Sequence, residues 1–324
     1  MLILSEMKKL PLVIVALGTL WAQESVPTPT TASGIKGMIS IWEENDKFAI
    51  KNKDRYYTQG LRISYQDDPH HFWALTQEIN TPSDTSNPNP PDTDLPYSAA
   101  LYLTYGYGQV LDRGGKKDCL FIVEGNLGVI GPSALGETIQ NRFHDLVGTP
   151  TTAGWGTQVP DEIVLNVDVE FLRRFLFDSS GYGMRDLIAR GALQLGTMRT
   201  EAIFGAQFRW GVGLERNWGH TFIRHGSAYN PNFSYDGKGF DSFSSWFFAD
   251  AQVEVVMRNY ATDGTNFRES RSVTRNPVVA QLAIGATMYV KCVELTYYLA
   301  MRSKEIETQI DPHYYGGFKG EVKF

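Results

Sequence analysis

His144 stands in the stretch Gly131-Pro-Ser-Ala-Leu-Gly-Glu-Thr-Ile-Gln-Asn-Arg-Phe-His144-Asp-Leu-Val-Gly148. An imidazole titrates in the physiological range and can take a proton from water. Gly-Pro-Ser opens the stretch and Gly148 closes it, a pair of helix start and stop signals. Between them Ile139, Phe143, Leu146 and Val147 recur at i, i+4, i+7 and i+8, which makes an apolar stripe. Gln140 lies one helical turn before His144 and beside that stripe; Asn141 and Arg142 share the turn. A short amphipathic helix packed on a wall would hold the imidazole against that wall. A loop histidine is more often structural than catalytic, so partners are needed. Glu43-Glu-Asn-Asp46 and Thr58, in Asp54-Arg-Tyr-Tyr-Thr-Gln-Gly-Leu61, form the second group. If the segments around them pair as a hairpin, Asn45, Asp46 and Thr58 meet at its end. Carboxylate, amide and hydroxyl oxygens are hard donors of the kind that hold calcium. The plain alternative is a solvated acidic rim. His70, His71, His220, His225 and His313 fall at turns or in loops with no evident partner.

The elements that must position these groups are strands. Segments of about ten residues alternate with period two and are broken by Gly, Asp, Asn or Pro. Ile163, Leu165, Val167, Val169 and Phe171 oppose Asn166, Asp168 and Glu170. Phe247, Ala249, Ala251, Val253, Val255 and Met257 oppose Asp250, Gln252 and Glu254. One face is uniformly apolar and the other carries charge, which fits a barrel with lipid outside and a polar lumen inside. Strands are expected near 37–45, 58–67, 70–79, 97–109, 118–129, 161–173, 184–197, 200–213, 245–259, 277–289, 291–303 and 315–324. That is about twelve, an even number, as bacterial barrels require. Connections 46–57, 80–96, 130–160 and 260–276 then face outward and are long. The connection 214–244 is also long but falls on the periplasmic side. Either a strand is miscounted or that side carries a large loop.

Composition agrees with an all-β transmembrane antiparallel barrel carrying a short helix in an outward loop. Aromatic residues make up 13% of the 324 residues, enough to furnish interfacial belts. A formal charge of −6 supplies no basic face, so nucleic acid is not an expected partner. No stretch reaches 18 apolar residues, so a transmembrane helix is not expected. Lys8 and Lys9 precede an apolar run ending near Ala22, so residues 1–22 read as a signal peptide and 23–36 as a flexible lead-in. No cysteine follows the run, which argues against a lipoprotein anchor. Cys119 and Cys292 read as packing residues. The barrel is expected over 37–324, and its last strand ends on Phe324, like the signal read by the barrel assembly machinery.

In order along the chain, Glu44-Asn45-Asp46, Asp54-Arg-Tyr-Tyr-Thr58, Gln77-Glu-Ile-Asn-Thr-Pro82 and Leu95-Pro-Tyr-Ser-Ala-Ala100 lead to Gly128-Val-Ile-Gly-Pro132 and Gln140-Asn-Arg-Phe-His144. Gly154-Trp155, Gln158, Arg258-Asn259 and Asp263-Gly-Thr-Asn-Phe267 follow. This set resembles the lipid A 3′-O-deacylase (LpxR) family of outer-membrane barrels. The resemblance implies a twelve-stranded barrel with its site between the wall and an outward helical loop. It implies calcium-dependent hydrolysis of the 3′-linked acyloxyacyl ester of lipid A. It makes His144 the general base, Asp46 and Asn45 the calcium ligands, and Thr58 a hydrogen-bonding partner; Gln140, Asn141 and Arg142 support His144. No serine nucleophile is then needed. The span Thr81–Pro96 is richer in proline than the family pattern, and Arg55, Arg142 and Lys53 are the candidates for lipid A phosphates. Lipopolysaccharide is the expected substrate, outer-membrane lipids the surroundings, and a monomer the assembly. A phospholipase-type barrel and a non-catalytic pore or adhesin are the other readings.

Overall fold

A computed structural model of the protein describes residues 36–49, 55–112, 114–180, 183–214, 217–231 and 243–324. The expected signal peptide, the expected lead-in up to residue 35 and Lys53 lie outside the described residues. Twelve strands are found among them: β1 (Met38–Asn45), β2 (Tyr56–Gln66), β3 (His71–Thr81), β4 (Ser98–Leu111), β5 (Cys119–Ile130) and β6 (Glu162–Ser180). The second half adds β7 (Gly183–Gly196), β8 (Arg199–Val212), β9 (Phe243–Asn259), β10 (Val278–Val290), β11 (Val293–Arg302) and β12 (His313–Lys323). Each strand pairs antiparallel with its sequence neighbours, and β1 pairs with β12, so the sheet closes. Closure leaves no unpaired edge, which the hydrocarbon of a bilayer would not tolerate. The seam runs from Met38↔Lys323 to Asn45↔Gly316, and the Gly37 and Phe324 backbones bond each other at its foot. β6 runs seven residues past its expected end: Arg174 and Phe175 continue the alternation, and pairing with β7 resumes after a register shift between Leu176 and Asp178.

Alternation sorts the side chains as expected. Ile39, Ile41, Ile63, Leu165, Phe204, Phe247 and Ile284 are exposed on the outer face, where lipid covers them. Glu44, Arg62, Glu78, Asp186, Arg209, Glu254 and Arg302 are buried in the lumen. Buried charges need partners, and the lumen provides them: Arg209 spans Asp186 at 2.9 and 2.5 Å, and Arg302 spans Glu254 at 2.8 and 2.7 Å.

The long connection between β8 and β9 explains why it broke the length rule. It starts at the end of the barrel that holds the chain termini, and its described residues 217–231 fold into the lumen rather than away from it. Near that end, Tyr229 donates to the Pro69 carbonyl at 2.7 Å and Asn230 to Glu321 at 2.6 Å. Higher up, Arg62 donates to the Ile223 and Gly226 carbonyls at 2.5 and 2.6 Å, and the Ile223 N–H donates to Glu44 at 2.9 Å. Arg224 reaches Glu305, in the β11–β12 connection at the opposite end, at 3.1 Å. The strand count was right and that side carries a large loop, which fills the barrel along its length. Gly108 on β4 makes room for it, since a Cβ there would lie 2.3 Å from the Tyr229 ring.

Candidate active site

The site rests on a local reversal of the alternation rule. On β3 the outward positions begin apolar and exposed, with Leu75 47% accessible, but Gln77 and Ile79 on the same face are 5% and 0% accessible. On β1, Ile39 and Ile41 face lipid, and the next outward positions are Glu43 and Asn45. The register sets Glu43 opposite Leu61, Asn45 opposite Gln59, and Leu61 opposite Gln77. A polar patch therefore sits on the outside of the barrel, just below the rim farther from the termini. Gln59 donates to Glu43 at 2.9 Å within it.

The cover over this patch is the β5–β6 connection. It begins with a 3-10 turn, Pro132–Ala134, and continues as helix α1 (Gly136–Val147), which ends on Gly148 with φ 71°. Glycine accepts that left-handed backbone without strain. Residue 136 must also be small, because a Cβ there would meet Ala99 and Trp155 at 2.5 and 2.6 Å. The connection is tied down by Gly131 N–H to the Ala99 carbonyl, Val159 N–H to the Tyr97 carbonyl, and Gln77 to the Ala134 carbonyl at 2.7 Å. Ile79, Tyr97, Ala99, Ala134 and Trp155 pack beneath it, with Ile139 against them. α1 thus lies on the outer wall over β3 and β4.

The expected stripe is only partly the packing face. Ile139 and Phe143 are half-buried, but Leu146 is 82% exposed, so the stripe is not buried along its whole length. Gln140 and His144 are the buried side chains of the wall-facing side. Gln140 accepts from the Trp155 indole at 3.0 Å. Asn141 accepts from the Thr152 N–H and hydroxyl, both at 2.9 Å, which braces the return of the loop. Arg142 is exposed on the helix. His144 Nδ1 lies 2.8 Å from the Pro150 carbonyl. A carbonyl only accepts, so Nδ1 donates in this contact, which in the neutral ring leaves the lone pair on Nε2.

The β1–β2 register ends at Asn45↔Gln59, which places Asn45, Asp46 and Thr58 at the same end of the two strands. Asn45 caps a 3-10 turn, Asp46–Phe48, by accepting from the Lys47 N–H at 2.9 Å. Asp46 is buried and accepts from the Arg55 N–H at 2.8 Å. Thr58 sits in a bulge of β2 and shares a 2.7 Å hydrogen bond with Thr81 of β3. Next to it Tyr56 holds a left-handed backbone, φ 62°, a conformation that a non-glycine residue keeps only when its surroundings enforce it. Strand order thus sets the Asp46–Thr58 group on β1–β2, beside the β3–β4 wall that carries α1. Glu43 belongs to the acidic group read from the sequence, whereas Gln59, Gln77 and Thr81 were given no role in the site there. The signal that finds them is a polar residue at the lipid-facing phase of an otherwise apolar alternation.

The proline-rich segment 82–96 joins the same rim. Its Thr85 carbonyl accepts from Ala153 N–H and the Tyr97 hydroxyl, and its Pro90 and Pro91 carbonyls accept from Arg271. It therefore ties the helical loop to the connection after β9.

Comparisons with known proteins agree with this architecture. No curated protein matches the sequence. Among solved structures, LpxR from Salmonella typhimurium superposes with a TM-score of 0.75 at 20% identity, over 89% of this chain and 100% of that one. The β domain of the Bordetella autotransporter BrkA gives a TM-score of 0.41 at 10% identity, over 89% and 99%. The NanC porin gives 0.36 at 7%, over 89% and 98%. The family described as outer membrane protein LpxR matches residues 10–324, nearly the whole chain. With its closed twelve-stranded barrel and a helical loop on the outer wall, the chain belongs to the LpxR family of outer membrane proteins.

Proposed function

We propose that this barrel is a lipid A 3′-O-deacylase, a calcium-dependent ester hydrolase in which His144 is the general base. The observation that carries the reading is the 2.8 Å contact between His144 Nδ1 and the Pro150 carbonyl. It fixes the tautomer that a base requires and holds the ring by its far nitrogen. Nε2 takes a proton from water, and the water oxygen adds to the ester carbonyl carbon. When the carbon–oxygen bond to the sugar breaks, the imidazolium returns that proton to the departing alkoxide. A fatty acid and a sugar hydroxyl result.

The donor set at the hairpin end suits calcium: Asp46 offers a carboxylate, Asn45 an amide oxygen, and neither sulfur nor imidazole is among them. Asp46 and Asn45 would hold the ion. When bound, it supplies positive charge that polarises the carbonyl and stabilises the oxyanion. Thr58, held by Thr81, supplies a hydroxyl beside that charge.

The position of the patch supports a membrane lipid as substrate. It lies at the lipid-facing phase of the strands, on the outside of the wall, where an acyl chain can approach without leaving the bilayer. The filled lumen argues against a pore. The test is fatty-acid release from lipid A and, separately, from phosphatidylethanolamine, each with calcium and with chelator. Calcium-dependent release from lipid A alone supports the proposal. Release from phosphatidylethanolamine alone would replace it with a phospholipase, and release from neither would refute hydrolysis.

A further inference from the structure

The turn that carries Arg55 and Thr58 is held by groups from other connections of the same rim. β1 and β2 leave their shared ladder at Asn45↔Gln59, so residues 55–58 have no paired residue on β1. On their other side, pairing with β3 slips between Tyr57 and Gln59. Yet this short segment serves the cleft twice. The Arg55 N–H donates to Asp46 at 2.8 Å, and Thr58 shares its hydrogen bond with Thr81. Between them Tyr56 keeps φ at 62°, a left-handed backbone that a non-glycine residue adopts only at a cost.

A cap of side chains from three other connections enforces that backbone. The Tyr56 ring is buried with Leu95 of the β3–β4 connection and Ile306 of the β11–β12 connection, and Val273 of the β9–β10 connection packs against them. The Arg55 guanidinium lies 5.1 Å from the centre of the same ring. His313, the buried first residue of β12, completes the cap. Its ring meets Tyr56 edge to face at 5.9 Å, and its Nε2 lies 2.9 Å from the Tyr57 carbonyl. The carbonyl accepts, so Nε2 is the donor and pins the peptide that joins Tyr57 to Thr58.

We propose that Tyr56 and His313 are positioning residues for the Asp46 group, an inference that rests on the calcium-dependent reading above. Tyr56 fixes the backbone that follows the Arg55 N–H, and His313 fixes the peptide that precedes Thr58. A carboxylate that accepts from a backbone N–H changes its aim when that N–H moves. Groups behind a metal ligand set affinity in this way, and removing one typically costs about 10- to 100-fold. The cap therefore acts on how tightly the ion is held, and through it on the reaction. Plain packing of the rim would leave calcium affinity alone.

The test uses the purified full-length barrel in detergent, with terbium as a luminescent stand-in for calcium and calcium as its competitor. Folding of each variant is checked by its heat-modifiable mobility on gels. His313→Phe keeps an aromatic edge but loses the donor. It should weaken both ions about 10-fold or more and shift half-maximal lipid A hydrolysis to correspondingly higher calcium, with turnover recovering once calcium saturates. His313→Gln restores a donor and should recover most of the affinity. Ile306→Ala thins the cap without removing a hydrogen bond of the turn; it should move affinity the same way by less, and it carries the test if His313→Phe does not fold. Wild-type affinity for terbium and calcium in the folded variants overturns the inference and leaves the calcium reading standing. So does a loss of turnover that saturating calcium does not rescue. A wild-type barrel that binds neither ion removes the calcium reading itself, and the inference with it.

Discussion

The lumen and the outer cleft are both buried and both polar, but they are built by opposite means. In the lumen, charge meets charge: Arg199 with Glu78, Arg209 with Asp186, Arg302 with Glu254. In the cleft, backbone groups help to hold the charged and titratable side chains. Asp46 accepts from the Arg55 N–H, and His144 is held by the Pro150 carbonyl. Fixed ion pairs resist any change of protonation and so specify a packed interior. Backbone partners orient a side chain without neutralising it, which leaves its chemistry available. The lumen therefore specifies the fold, and the cleft is where a reaction can run.

Four measurements can break or sharpen that contrast. The largest effect is expected in the lumen. Asp186→Asn leaves Arg209 without its carboxylate and should cost about 3–5 kcal/mol in urea unfolding, with turnover per folded molecule unchanged. A loss of turnover in fully folded protein would dissolve the distinction. At the cleft, Asp46→Asn should lower ester hydrolysis roughly 10²–10³-fold, the range for losing an oxyanion-stabilising group, with a stability cost of only about 1 kcal/mol because Asn keeps an acceptor for the Arg55 N–H. Gln140→Ala should be milder. It removes the acceptor for the Trp155 indole and should cost about 1 kcal/mol of stability, with a correspondingly modest fall in turnover as α1 loosens.

The smallest effect concerns Glu305, which anchors the inward loop. Burial pushes its carboxyl up, but Arg224 and Arg302 outweigh burial and hold it below the usual carboxylate range. A depressed pKa contributes stability above the unfolded-state value, and that stability is lost as pH falls through the folded one. Unfolding measured from neutral pH downward should weaken at acid pH, and Glu305→Gln should flatten that slope. An unchanged slope would mean that the loop is anchored by other contacts.

Much of this molecule was legible in its sequence because a barrel in lipid imposes period two on every strand. All twelve expected segments coincide with strands, and the Gly-Pro-Ser and Gly148 signals bracket the helical loop. Residues 217–231 were not legible. A loop packed in a polar lumen follows no strand or helix period, although Trp218, Phe222 and Ile223 are more apolar than a solvated loop requires. For the same reason His225 seemed partnerless, since Glu201 and Glu254 come from strands that only barrel closure brings to it. Leu146 showed the limit of a helical stripe: periodicity says which residues share a face, not how far the wall extends beneath them.

The most direct test of the central claim is mass spectrometry of lipid A incubated with the purified barrel, with calcium, with chelator, and with His144→Ala. The account predicts loss of the 3′-acyloxyacyl mass with wild type and calcium. Chelator should prevent it, and the folded variant should reduce it by about 10²–10⁴-fold. Intact lipid A in every sample, or equal loss with His144→Ala, would contradict it.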